Sequence, residues 1–138
     1  MLKTWAWIFA AVFILIGILG FVPGITTAEG NLLGVFEVDT MHNIAHMVTG
    51  LVALFVALGS ERARRLFFQI FGWLYLLTTI IGFIQGDTVL GIIGANMADH
   101  FLHLVIAIVS LWLGYGGRKR MAGSVPTQPQ QPPQQPQM

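Results

Sequence analysis

The sequence predicts an all-α fold: a polytopic membrane four-helix bundle made of two tandem two-helix repeats. Three observations carry that expectation. Of 138 residues, 55% are hydrophobic and 9% charged, whereas soluble domains carry about a quarter charged residues. A domain this small cannot hide so much apolar surface from water. The apolar residues gather into four long runs, each close to the roughly 17–25 residues that a membrane-crossing helix needs. Finally, two polar patterns, Leu33 to His46 and Leu90 to His103, recur 57 positions apart on the same apolar background.

The four runs extend approximately from Trp5 to Val22, His42 to Leu58, Leu66 to Ile84 and His100 to Gly116. Backbone inside hydrocarbon must satisfy its own polar groups, so such runs become helices. Transmembrane strands would alternate polar and apolar residues, and these runs do not. For the first run a cleaved leader is the alternative, because Lys3 precedes it and Thr26-Thr27-Ala28 offers small residues beyond it. Its length exceeds the about 7–15 residues of a leader's apolar region. Its end, Gly20-Phe21-Val22-Pro23-Gly24, also matches Gly82-Phe83-Ile84-Gln85-Gly86 after the third run. A retained helix is expected.

Each repeat unit is thus a helix ending in Gly-Phe-x-x-Gly, a connection, and a second helix opening with the Asp/Asn and His pattern. The units run over about 5–58 and 66–116 within a membrane domain of residues 1–117. Since each crosses twice, both keep the same orientation, with a symmetry axis along the membrane normal. Two such hairpins can pack face to face as a bundle. The stretches Leu32 to Val38 and Val89 to Met97 are apolar but too short to span, and are expected in the interface against the bundle mouth.

Charge sets the orientation. Lys3, Arg62, Arg64, Arg65, Arg118, Lys119 and Arg120 all fall on one side of the four runs, which the positive-inside rule assigns to the cytoplasm together with both termini. Glu29, Glu37, Asp39, Asp87 and Asp99 lie in or beside the opposite connections, and Glu61 sits with the arginines. Trp5, Trp7, Trp112 and Tyr115 suit an aromatic belt on the cytoplasmic side. Trp73 and Tyr75 fall nearer mid-span and need packing or a hydrogen-bond partner. Residues 118–138 are mostly Pro and Gln beyond the basic cluster, the composition of a disordered cytoplasmic tail.

Asp39 and Asn96 directly precede helical apolar patterns and are strong N-cap residues. His42 and Asp99 then occupy the third helical position, where a side chain can reach back to the cap. Asp99 there also suits the positive end of the helix dipole, whereas His42 is expected neutral unless Asp39 pairs with it. His46 and His103 lie one turn deeper, and an intramembrane ionisable side chain is costly enough to face the bundle interior. Small residues follow each at the same spacing: Gly50, Ala53 and Ala57 after His46, and Ala107, Ser110 and Gly114 after His103. Such faces let helices approach closely, so the second and fourth spans are expected to pack through them and bring His46 and His103 together.

Hydrogen bonding is the first reading of these histidines. The second is a metal site drawing on His46, His103, His42 and Asp99, since His42 with His46 and Asp99 with His103 are i,i+4 pairs. Imidazole suits Zn, Cu, Fe or Ni, and His46 opposite His103 suits a haem; contact with a quinone or a proton relay are further versions. His-x3-His is unspecific, and no Glu accompanies it as in His-Glu-x-x-His. Without cysteine there is no thiolate ligand or nucleophile. No phosphate-cradling loop or Gly-x-Ser-x-Gly elbow is present, so no catalytic residue is assigned and an enzyme is not expected.

Leu32-Leu33-Gly34-Val35-Phe36-Glu37-Val38-Asp39, His42-Asn43-Ile44-Ala45-His46 and Asn96-Met97-Ala98-Asp99-His100-Phe101-Leu102-His103 resemble the bacterial membrane family called domain of unknown function 4383. The resemblance covers about Trp5 to Gly117. It implies a multi-pass protein of the bacterial plasma membrane and supplies no activity. The family pattern more often has Asn at the position of His100, which argues against His100 as an obligatory ligand. The function expected is a small membrane scaffold or accessory protein. The alternatives are a metal-, haem- or quinone-linked protein and a small oligomeric carrier or pore. Expected partners are the lipid bilayer and a second copy or another membrane protein, with no nucleic acid.

Overall fold

The computed structural model describes residues 1–116, so the Pro/Gln-rich stretch at 118–138 lies outside the described residues. Helix α1 (Leu2–Leu19) leads through a short hairpin, β1 (Asn31–Leu32) and β2 (Phe36–Glu37), into α2 (Thr40–Leu58). Helix α3 (Glu61–Gln85) leads through β3 (Thr88–Val89) and β4 (Ile93–Gly94) into α4 (Met97–Tyr115). All four helices are long and apolar enough to cross a membrane. The protein is nearly all-α and multi-pass in character.

Local chemistry sets the helix ends. Asp39 caps α2 by accepting from the His42 N–H at 2.7 Å. Asn96 and Asp99 form a capping box on α4, satisfying donors that the first turn otherwise leaves free. Ser60 caps α3 by accepting from the Ala63 N–H, so α3 starts before Leu66 and takes the arginines into its first turns. Those arginines also bind helix ends. Arg64 donates to the Ala57 and Gly59 carbonyls at the end of α2. Arg65 and Gln69 donate to the Gly114 carbonyl in the last turn of α4. At the end of α1, the Thr26 hydroxyl donates to the Leu19 or Gly20 carbonyl, each 3.2 Å away.

The two connections are more ordered than their apolar composition suggested. β1 pairs antiparallel with β2, and β3 with β4. Each hairpin turns through two consecutive residues of positive φ: Leu33 (54°) and Gly34 (72°), then Leu90 (56°) and Gly91 (67°). The Val35 N–H reaches the Leu32 carbonyl at 3.1 Å, and the Ile92 N–H the Val89 carbonyl at 3.2 Å. Two left-handed residues closed in this way make a type I′ turn, whose twist matches that of paired strands. Glycine takes this conformation freely, whereas leucine there costs about 1–2 kcal/mol. The bounds of β3, β4 and α4 each fall 57 residues after those of β1, β2 and α2.

Helix α1 packs along α2, and α3 along α4, each pair closed by glycines. A methyl group at Gly50 would stand 2.6 Å from the Ile14 side chain, and one at Gly17 the same distance from Met47. Across the second pair, a methyl at Gly72 would stand 2.8 Å from Leu111, and one at Gly114 would stand 2.7 Å from Gln69. This corrects the expected packing of α2 on α4: Gly50 meets α1 and Gly114 meets α3. Each of these glycines serves the neighbour in its own hairpin, which lies alongside it.

Between the two hairpins, aromatic rings from α1 and α3 interlock. Phe9 meets Phe68 edge-on at 5.2 Å, and Phe13 meets Phe71 at 5.5 Å and Tyr75 at 5.8 Å. Lipid removes most of the solvent drive for helix association, so specific ring geometry, about 0.5–1.5 kcal/mol per pair, matters more here. The Trp73 indole N–H, expected to need a partner, donates to the Tyr115 hydroxyl at 3.1 Å.

Candidate metal centre

At the hairpin end of the bundle the polar pattern resolves into a set of latches and a set of imidazoles. The latches run between the two hairpins. One Asp39 carboxylate oxygen caps α2, and the other accepts from the Gly94 N–H of β4 at 2.6 Å. Asp99 accepts from the Asn96 N–H and the Glu37 N–H of β2, both at 2.9 Å, through a single oxygen. The Asn96 amide also donates to the Val35 carbonyl at 2.8 Å. The cap residues therefore also tie the two halves of the molecule together. Nothing in the local sequence signalled that second duty, since the partners lie about 55–62 residues away.

His42 Nδ1 lies 2.8 Å from the Gly94 carbonyl. A carbonyl only accepts, so this contact puts the proton on Nδ1 and leaves the neutral ring's lone pair on Nε2. Nε2 is buried with no hydrogen-bond partner, as are His46 Nδ1 and His103 Nδ1. These three rings converge: one ring nitrogen from each of His42, His46 and His103 lies within 4.8 Å of the others. Their ring centroids are 4.5 Å apart for His42 and His46, 5.8 Å for His42 and His103, and 6.5 Å for His46 and His103. All three side chains are buried. Phe13 stands edge-on to His46 at 5.5 Å, and Tyr75 takes the same position on His103 at 5.1 Å.

The three imidazoles border a cavity of about 130 Å³, whose other walls include Ala45, Thr49, Tyr75, Thr78, Val89 and Ile93. A buried polar nitrogen without a partner costs about 1–3 kcal/mol. Three imidazoles that border one space, each with such an atom, offer the kind of donor set that Zn, Cu, Fe or Ni accepts. Nitrogens on a tetrahedral ion at about 2.0–2.1 Å stand roughly 3.3 Å apart, so modest ring rotations would close the present spacing onto one ion. The Gly94 carbonyl on His42 Nδ1 is the kind of outer contact that holds a metal-binding imidazole in register.

Of the sequence candidates, His46, His103 and His42 come together. Asp99 does not join their cluster; one of its oxygens instead takes backbone N–H groups from both hairpins. His100 also stands apart: its Nε2 lies 2.6 Å from the Gly86 carbonyl, and its ring fills the notch left by Gly82. Asn43, its counterpart 57 residues earlier, fills the notch at Gly20. From the sequence, Tyr75 is a side chain in need of packing or a hydrogen-bond partner. Its place beside His103 depends on how α3 lies against α4, which no local pattern records.

A model of the family described as Domain of unknown function (DUF4383) matches residues 3–116. The chain belongs to that family. No curated protein and no solved structure matches it. In this DUF4383 member the matched segment takes in all but the first residue of α1, the other three helices, both hairpins and the three converging histidines.

Proposed function

We propose that this multi-pass membrane protein binds a transition-metal ion through His42, His46 and His103. The observation that carries the proposal is the convergence of three buried imidazoles, each with a nitrogen lacking a partner, on one small cavity. A scaffold needs the caps, the latches and the packed glycines, and none of these uses those nitrogens. Haem is disfavoured by size. A cavity of about 130 Å³ compares with the roughly 150 Å³ that accommodates benzene, and a tetrapyrrole is several times larger. The distribution of basic residues supports cytoplasmic termini, with the site in the outer half of a bacterial plasma membrane. The two hairpins are read as copies of one unit, of which only the first carries two of the ligands.

Metal analysis of protein purified in mild detergent, before and after loading with Zn(II) or Co(II), tests this function. One ion per chain, lost in His46→Ala and His103→Ala, is the expected result. If the wild-type protein takes up no ion and those variants merely melt at lower temperature, the scaffold reading replaces it. Reporter fusions test the orientation: activity in the cytoplasm is expected at either terminus, and export of either would reverse it.

A further inference from the structure

The α2/α3 seam carries a second feature that the metal site alone does not require. Only Gly59 and Ser60 separate these helices in sequence, yet a groove of about 440 Å³ runs between them. Val52 and Val56 form one wall, with Leu66, Phe67 and Ile70 opposite. Thr49 borders both this groove and the histidine cavity, so the two spaces adjoin at that residue. From Ala63 to Leu74 the α3 wall of the groove is roughly 17 Å long at about 1.5 Å per residue. The groove lies on helices long and apolar enough to cross a membrane, so its natural occupant comes from the bilayer. Among the described residues no Lys, Arg, Asp or Glu lines either space, so neither offers a charged phosphate head a partner inside it. The cavity is close to the size that accepts one benzene ring, and its walls carry hydroxyl and imidazole groups.

We propose that this seam binds a long-tailed, single-ring quinol from the bilayer. Its tail lies in the α2/α3 groove, and its ring enters the histidine cavity with one oxygen toward the open position of the ion. Three protein ligands on a tetrahedral ion leave such a position free. The proposal rests on the metal reading and extends it by naming the class of ligand and its route. It requires binding only, with no electron transfer.

The test uses the full chain in lipid nanodiscs, loaded with Co(II) and kept anaerobic, with the cobalt absorption bands as readout. Three probes are titrated: decylbenzoquinol, hydroquinone without a tail, and dodecanol as a tail without a ring. Decylbenzoquinol is expected to move the bands at a concentration at least tenfold below that of hydroquinone, while dodecanol leaves them in place. Val52→Trp, and Ile70→Trp on the opposite wall, should erase the tenfold advantage without changing cobalt loading or the response to hydroquinone. Should cobalt load while neither quinol moves its bands, the inference falls and the metal site stands. Equal responses to both quinols, or an equal response to dodecanol, would also overturn it, the groove then being a slot for any lipid chain. If cobalt does not load, the metal reading fails and this one with it.

Discussion

The entrances to α2 and α4 share a backbone and differ in what their side chains do. Both follow a hairpin with a Leu-Gly turn of positive φ, and both begin with a capping residue. The first has Asp at the cap and His three positions on, whereas the second has Asn at the cap and Asp three positions on. In both, a carboxylate crosses to the other hairpin and takes the N–H of its second strand, Asp39 from Gly94 and Asp99 from Glu37. Because the carboxylate sits at the cap in the first unit, the next inward position is free for an imidazole. In the second unit the carboxylate itself holds that position. The outcome is an asymmetric cluster with two histidines from α2 and one from α4. The same frame yields a latch in one place and a latch plus a buried imidazole in the other.

The largest expected effect tests that asymmetry directly. His42→Ala, His46→Ala and His103→Ala should each weaken metal binding at least 100-fold, and His100→Ala should change it less than threefold, by metal titration of purified protein. An equal loss with His100→Ala would show that the second unit contributes two ligands after all.

Next come the two carboxylates. Asp39→Ala and Asp99→Ala each remove an accepting group that serves two backbone N–H donors, and each should cost about 1–3 kcal/mol of stability, read as a lowered melting temperature in detergent. They should differ in metal binding. Loss of Asp39 frees β4 and the Gly94 carbonyl that orients His42, so affinity should fall about 10–100-fold. Loss of Asp99 should leave affinity within threefold.

The notches form a third contrast. Gly82→Ala drives a methyl group into the His100 ring, and Gly20→Ala drives one into the Asn43 amide. Overpacking of this kind costs about 1–3 kcal/mol. The rigid ring yields less than the amide, so the larger drop in melting temperature is expected for Gly82→Ala. The smallest effect is a gain. Leu33→Gly and Leu90→Gly each relieve a left-handed leucine, and should raise stability by up to about 1 kcal/mol. Equal gains would show that the two turns bear the same strain.

Much of this architecture is legible along the chain. The spans follow from hydropathy over a bilayer's thickness, and the caps from Asp39 and Asn96 standing before helical patterns. Even the depth of His46 and His103 follows from helical spacing. Other features escaped because their signals are weak or relational. The turns are a case of the first kind, since leucine disguises a left-handed position that asparagine would have advertised. The facing of Gly50 and Gly114 is a case of the second, because a small residue shows that something comes close without saying which helix it is.

By itself, then, the sequence determined four apolar helices, the caps of the second and fourth, and the four candidate ligands His42, His46, His103 and Asp99. These depend on hydrophobicity, period and first-turn chemistry, all written within a few neighbouring residues. Tertiary structure alone decided that Asp99 is a latch, that His100 stands apart, and that His42 joins His46 and His103. Each of those outcomes turns on which residues of one hairpin reach the other. A carboxylate that takes a distant backbone N–H, or an imidazole that lies beside two others, exists only once both halves have docked.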